Sequence, residues 1–343
     1  MSCLVLDPFN AASDDSLATL PLALDPAFAA AQLQRKLAKW SDDDRLQCEL
    51  DRVEVVRHKP GRRCVLEYDA VVRRVDGGWS KLTMIGKIRA KRFGKSGFRR
   101  LEALWDVGFA MPAADRISVP EPVATVGKLQ MWLQRKVPGT VSTELMFAPH
   151  ATSVARRIAE AAYKLHTSDL VWETSHTMQR ELQILQERVP LVALPFPKYR
   201  DRLQGILLES ERLARTIDQQ EVRPIHRDFY QDQVILNGSQ VYLLDFDLAC
   251  MGNPALDIGN FLGHVAEQSL RETGDWQSLA EVEQVLVDRY CELAGEQHRA
   301  AIQVYRTLTL VRHIYISSIM PERQETTLPL IQLCETLLNN QGA

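Results

Sequence analysis

The chain is 343 residues long, 45% hydrophobic and 25% charged, which supplies enough apolar side chain for one large domain or two lobes and excludes a largely disordered protein. Its 41 Lys and Arg stand against 44 Asp and Glu, a near balance that argues against nucleic acid or an anionic membrane as the main partner. Six scattered cysteines, with no Cys-x-x-Cys pair and no histidine at zinc-finger spacing, argue against a disulfide framework and a structural zinc site and fit a reducing compartment.

The start of the chain has no basic segment and soon meets Asp14 and Asp15, so no signal peptide is read there. No apolar run reaches the roughly 18–20 residues of a membrane span, and a cytoplasmic chain is the expectation. Asp25-Pro26 opens a helix over 27–40, with Pro near its first turn and Ser41-Asp42-Asp43-Asp44 beyond its end. Residues 1–50 therefore read as an N-terminal extension with one helix. From Arg52 the pattern changes: Val53, Val55 and Val56 form a strand, Lys59-Pro60-Gly61 a turn, 64–73 a second strand, Asp76-Gly77-Gly78 another turn and 82–88 a third strand. A helix over 98–107 follows, with Leu101, Leu104 and Trp105 on one face, then strands over 123–126 and 129–134 joined at Gly127. Residues 51–135 are thus an N-lobe, a small antiparallel sheet with a helix. Beyond Val137-Pro138-Gly139 the pattern is helical, at 151–166, 199–217, 280–294 and 305–320, so residues 136–343 read as a helical C-lobe holding one hairpin around Asn237-Gly238.

The chemistry concentrates in that C-lobe. His226-Arg227-Asp228 is followed by an apolar strand over 234–236, a tight turn, and a second strand ending Leu243-Leu244-Asp245-Phe246-Asp247. This order is how kinases place a base and a metal ligand around one phosphate. Asp228 is the candidate base and Asp245 the candidate Mg2+ ligand. Gln233, five residues beyond Asp228, offers an amide oxygen where kinases usually have an asparagine. Asp247 is open between a second metal contact and an ion-pair partner, and His226 reads as an orienting residue of the loop. In the N-lobe, Lys87 on the third strand is expected to reach nucleotide phosphates, with Glu102 as its partner and Arg89 and Lys91 as rivals on the same face. The surrounding stretch, with Arg92, Lys95, Arg99 and Arg100 in addition, is basic enough to attract a polyphosphate. Gly61 and Arg62, in the first hairpin turn, are candidates to cover those phosphates. Neither a Gly-x-Gly-x-x-Gly nor a Walker A loop occurs.

On His226-Arg227-Asp228-Phe229-Tyr230-Gln231-Asp232-Gln233-Val234-Ile235-Leu236, Leu243-Leu244-Asp245-Phe246-Asp247 and Gly252-Asn253-Pro254-Ala255-Leu256-Asp257-Ile258-Gly259, the chain resembles the aminoglycoside phosphotransferase and choline kinase-like family, over roughly residues 50 to 320. The resemblance implies an α+β, protein-kinase-like bilobal fold and transfer of the γ-phosphate of ATP or GTP to a hydroxyl of a small molecule. It implies Asp228 as base, Asp245 as magnesium ligand, Lys87 as phosphate-binding lysine with Glu102 beside it, and Asp257 as a brace of the catalytic loop. Gln233 departs from the family's asparagine. The Asp-Phe-Gly and Ala-Pro-Glu signatures of protein kinases are missing, which favours a small-molecule acceptor of the aminoglycoside, amino-alcohol or sugar class. The nucleotide is expected between the lobes, with backbone near Met131 to Gln134 meeting its base. The acceptor is expected near Asp228 and residues 259–267, with Glu267, Arg312 and His313 as candidate contacts. A nucleotide-binding pseudokinase and a metal-dependent phosphohydrolase are the rival readings, and the oligomeric state is left open.

Overall fold

The computed structural model describes residues 3–73, 78–90, 93–217 and 221–341, and the chain forms two compact units, Met1–Pro138 and Gly139–Ala343. The turn expected at Asp76-Gly77, the rival cation Lys91 and Arg92 of the basic stretch lie outside the described residues.

Unit 1 runs β1 (Leu4–Leu6), α1 (Leu20–Leu24), α2 (Pro26–Trp40), β2 (Gln47–Lys59), β3 (Arg63–Arg73), β4 (Trp79–Arg89), α3 (Lys95–Leu104), β5 (Ile117–Ser118), β6 (Pro122–Val126) and β7 (Met131–Arg135). Six strands make one sheet in the order β1-β2-β3-β4-β7-β6, antiparallel except for β1 on β2. Alternation selects its faces: Leu82, Met84 and Ile88 of β4 are buried, while Thr83, Ile85 and Lys87 lie half-buried on the other side. The buried face packs on α1 and α2, so that Leu17, Leu20, Leu33 and Leu37 share one core with Val53, Leu66, Tyr68 and Met131. Residues 1–50 are therefore built into unit 1 rather than appended to it, and they carry two α-helices instead of the one expected. The Tyr68 hydroxyl, fully buried under α1, donates to the Ala23 carbonyl at 2.9 Å. α2 begins as its sequence indicates, with the Asp25 carboxylate accepting from the Phe28 N–H at 2.9 Å.

Unit 2 runs β8 (Thr140–Val141), α4 (Ser142–Leu145), α5 (Ala151–His166), β9 (Ser175–His176), α6 (Met178–Arg188), α7 (Arg200–Ala214), β10 (Arg223–Ile225), β11 (Val234–Asn237), β12 (Gln240–Leu243), β13 (Cys250–Gly252), α8 (Ala255–Thr273), α9 (Ala280–Ala294), α10 (His298–Ile319) and α11 (Thr327–Gln341). α5 and α9 lie where amphipathic spacing places them, whereas α10 starts seven residues before the expected Tyr305. α8 and α10 are the centre of the unit. Gly259 and Gly263 of α8 let them touch: a Cβ at Gly263 would stand 2.5 Å from Thr309 Cγ2, and one at Gly259 would stand 2.7 Å from the Arg306 backbone nitrogen. Among the described residues no helix is long and apolar enough to cross a membrane.

Candidate active site

Two short antiparallel pairs build the frame of the site. β10 pairs with β13, Ile225 opposite Cys250, and β11 with β12, Val234 opposite Leu243. The second hairpin returns the chain so that the Leu244 N–H donates to the Gln233 carbonyl at 2.9 Å. His226, fully buried, places its Nε2 2.6 Å from the Leu244 carbonyl, with its ring between Phe229 and Phe246. A nitrogen facing a carbonyl must carry the proton, so His226 is a donor that ties the Asp228 loop to the Asp245 segment.

Asp257, in the first turn of α8 and fully buried, accepts from the backbone N–H groups of both His226 and Arg227 at 2.7 Å. These charge-assisted bonds are each of order 1.5–3 kcal/mol, enough to hold Arg227 at φ 69°, a left-handed conformation that costs a non-glycine residue roughly 1–2 kcal/mol. His166 adds a contact of 3.0 Å to the same carboxylate, and the Tyr290 hydroxyl lies 2.8 Å from the other ring nitrogen. Asp228, next in the chain, is half-buried and makes no hydrogen bond or ion pair among the described residues. Asp245 also takes a left-handed conformation, φ 57°, at the bend out of β12, and half-buried Asp247 follows in the next turn. Gln233 is 6% exposed.

The remaining C-lobe candidates lie along α8 and α10. Arg312 donates to Glu181 at 2.8 Å and also to Asn260, whose amide donates to the Phe229 carbonyl at 2.8 Å. Arg312 is thereby linked to the loop through Asn260. Burial would raise the Glu181 carboxyl, yet Arg312 and the His176 contact at 2.8 Å override it and hold it at about 2. His313 is 1% exposed, and burial, aided by Arg312 and Arg323, pushes its imidazole down to about 3. It packs edge-on, 4.3 Å between centroids, against His264, which stacks on Tyr230 at 4.6 Å. Glu267 is 2% exposed and paired with Arg271 and Arg323. Tyr230, Asn260, His264 and Gln268 are absent from the sequence-based set. Their signal is a polar stripe at 260, 264, 267, 268 and 271, one face of an otherwise apolar helix.

In unit 1, Lys87 stands directly opposite Trp132 in the β4–β7 register, its ammonium 4.8 Å from the indole centroid. Glu102 lies exposed on α3, its carboxyl raised by partial desolvation and the Asp106 carboxylate. Two expectations are corrected. β7 is paired along both edges, to β4 and to β6, so the backbone of Met131 to Gln134 is consumed by ladders and the Met131 side chain is in the core. Gly61, at φ 67°, gives its N–H to Asp14 at 2.8 Å, and the neighbouring Arg62 N–H returns to the Lys59 carbonyl at 3.0 Å. The hairpin turn is thus closed on itself and on the N-terminal segment.

The fold recurs in known proteins. Similar in fold are a thermostable mutant of the aminoglycoside phosphotransferase APH(4)-Ia (14% identity, TM-score 0.59, 90% of this chain and 98% of that one) and a choline/ethanolamine kinase family protein from Mesorhizobium loti (15%, 0.58, 94% and 93%). The choline kinase LicA from Streptococcus pneumoniae is a third (14%, 0.53, 85% and 94%). APH(4)-Ia is also solved in a ternary complex with ADP and hygromycin B. No curated protein matches in sequence. The family model described as the phosphotransferase enzyme family matches residues 71–305, a span that holds Lys87, the Asp228 loop, Asp245 and Asp257. The fold is kinase-like, and the chain belongs to the phosphotransferase enzyme family.

Proposed function

We propose that the chain is a small-molecule kinase that transfers the γ-phosphate of ATP, or GTP, to a hydroxyl of a small acceptor with the help of Mg2+. One observation carries the reading: Asp257 holds the backbone of His226 and Arg227 while His226 and Gln233 hold Leu244. Asp228 and Asp245 thereby leave a single hydrogen-bonded frame. The acceptor oxygen attacks the γ-phosphorus, the bond to the bridging oxygen of the departing nucleoside diphosphate breaks, and the hydroxyl proton passes to Asp228. A carboxylate with no partner of its own is free to take it.

The donor set fits magnesium. Among the described residues no three His, Cys, Asp or Glu side chains form a ready-made metal cage, and Mg2+ in phosphoryl-transfer sites uses one or two protein oxygens with phosphate and water completing its octahedron. Asp245 and the amide oxygen of Gln233 would hold it, with Asp247 as a further contact; when bound it neutralises charge on the phosphate oxygens. Lys87, positioned by Trp132, pairs with the phosphates, and Glu102 is the partner of Lys87. The complex of APH(4)-Ia with ADP and hygromycin B supports a site for nucleotide and hydroxyl acceptor together. Cysteines that are free among the described residues support a cytoplasmic location.

The test is ATP consumption against a panel of small alcohols, with Asp228→Ala as control. Stimulation by one class and a fall in kcat of about 10²–10⁴-fold in the variant are expected. Tight ATP binding with no acceptor ever phosphorylated would leave a pseudokinase, and release of phosphate from phosphoesters without ATP would leave a phosphohydrolase.

A further inference from the structure

The wall of unit 2 that continues from the Asp228 loop holds more guanidinium groups than its buried carboxylates neutralise. Gln231, three residues past Asp228, donates to Gln268 of α8 at 3.1 Å. Immediately before Gln268, the buried Glu267 carboxylate is shared by Arg271, one turn further along α8, at 3.1 Å and Arg323 at 3.7 Å, whose side chains keep 30% and 28% of their surface. One carboxylate balances one of those two charges. Glu272, 3.7 Å from Arg271, is 40% exposed, so water screens its contribution. Nearer the loop, Glu181 pairs with Arg312 at 2.8 Å and its carboxylate also feels the charge of Arg227, so one carboxylate again faces two guanidinium groups.

The imidazoles between these groups do not change the balance. Desolvation and neighbouring cationic groups hold His264 and His313 far below the ordinary histidine range, so both are neutral near pH 7. A polycationic acceptor needs unpaired carboxylates on this wall, and those that are buried, Glu181 and Glu267, already have arginine partners. A half-exposed guanidinium with surplus charge is instead suited to a carboxylate or phosphate, which it can bind through two parallel N–H bonds.

We propose that the acceptor carries an anionic group, a carboxylate or a phosphate, besides its reactive hydroxyl, and that Arg271 and Arg323 bind it; this rests on the kinase reading above. The binding of glycerol, glycerate, glycerol phosphate and hygromycin B is measured calorimetrically in the presence of a non-hydrolysable ATP analogue, and phosphate transfer is followed with the same compounds and ATP. At least one of the two anionic probes should bind about tenfold or more tightly than glycerol, a difference of about 1.4 kcal/mol, and the anion that gains distinguishes carboxylate from phosphate. Arg323→Gln and Arg271→Gln should each remove most of that preference, with KM affected more than kcat, whereas Glu267→Gln, which releases both guanidinium groups, should strengthen it. Equal binding of glycerol and both anions, preference for hygromycin B, or failure of both anions to bind a nucleotide-loaded wild-type protein overturns the proposal. The wild-type comparison decides the matter even where a variant fails to fold. The kinase reading fails separately, by nucleotide binding without transfer to any acceptor.

Discussion

Asp257 shows how one residue organises the site. Its two oxygens face two backbone N–H groups and a histidine ring nitrogen, and a carboxylate that is fully buried is tolerated only because both oxygens have hydrogen-bond partners. In Asp257→Asn one oxygen becomes an NH2 that faces a backbone donor. Stability is expected to fall by about 2–3 kcal/mol, read as a lower urea midpoint. kcat should fall about 10–100-fold through displacement of Asp228, with nucleotide affinity little changed. Asp228, Asp245 and Asp257 are singled out as site candidates by their order along the chain. The partners of Asp257 were not legible there, since His166 lies 91 residues away. The bonds of Arg312 to Glu181 and Asn260 were equally illegible, since a charged residue on a helix does not announce its partners.

At the level of elements, legibility followed exposure. α5 and α9 have one wet face and were read to the residue, while α8 is buried over most of its length and has no clean apolar stripe. What positions α8 is small-residue packing. Gly263→Ala puts a Cβ 2.5 Å from Thr309 Cγ2, which forces α8 and α10 apart. The expected cost is about 1–3 kcal/mol, measured as a lower melting temperature. Activity should fall beyond what the loss of folded protein explains, because Asn260 and His264, which steady the loop, ride on the same helix. The strands of unit 1 were legible by alternation and turn chemistry. That β7 would be paired on both edges was not, since alternation says which face a strand buries and nothing about its edges.

For the molecule as a whole, the N-terminal segment is the main revision. Asp14 accepts from the Gly61 N–H at 2.8 Å and pairs with His58 at 2.9 Å, fastening the β2–β3 turn across a sequence gap of more than forty residues. These bonds, the one from Gly61 first, lower the Asp14 carboxyl to about 2. The folded protein therefore binds this proton less readily than the unfolded chain, whose aspartate titrates near pH 4. Stability from the pair is complete above that pH and is lost as the pH falls toward 2. Asp14→Asn should accordingly lower the melting temperature at pH 6 and flatten its decline between pH 4 and 2; an acid limb of unchanged slope would count against the clamp.

The sequence by itself determined the fold class, the strand pattern of unit 1, the principal helices of unit 2 and the acidic constellation of the site. Each of these is written in local periodicity or in the order of residues along a few dozen positions. Only the tertiary structure decided that residues 1–50 complete the core of unit 1, that Met131 to Gln134 have no free backbone edge, and that the α8 wall is held by arginine. The physical reason is the same in each case: burial, edge pairing and charge balance depend on side chains brought together from far apart in the chain, and no local pattern records which of them will meet.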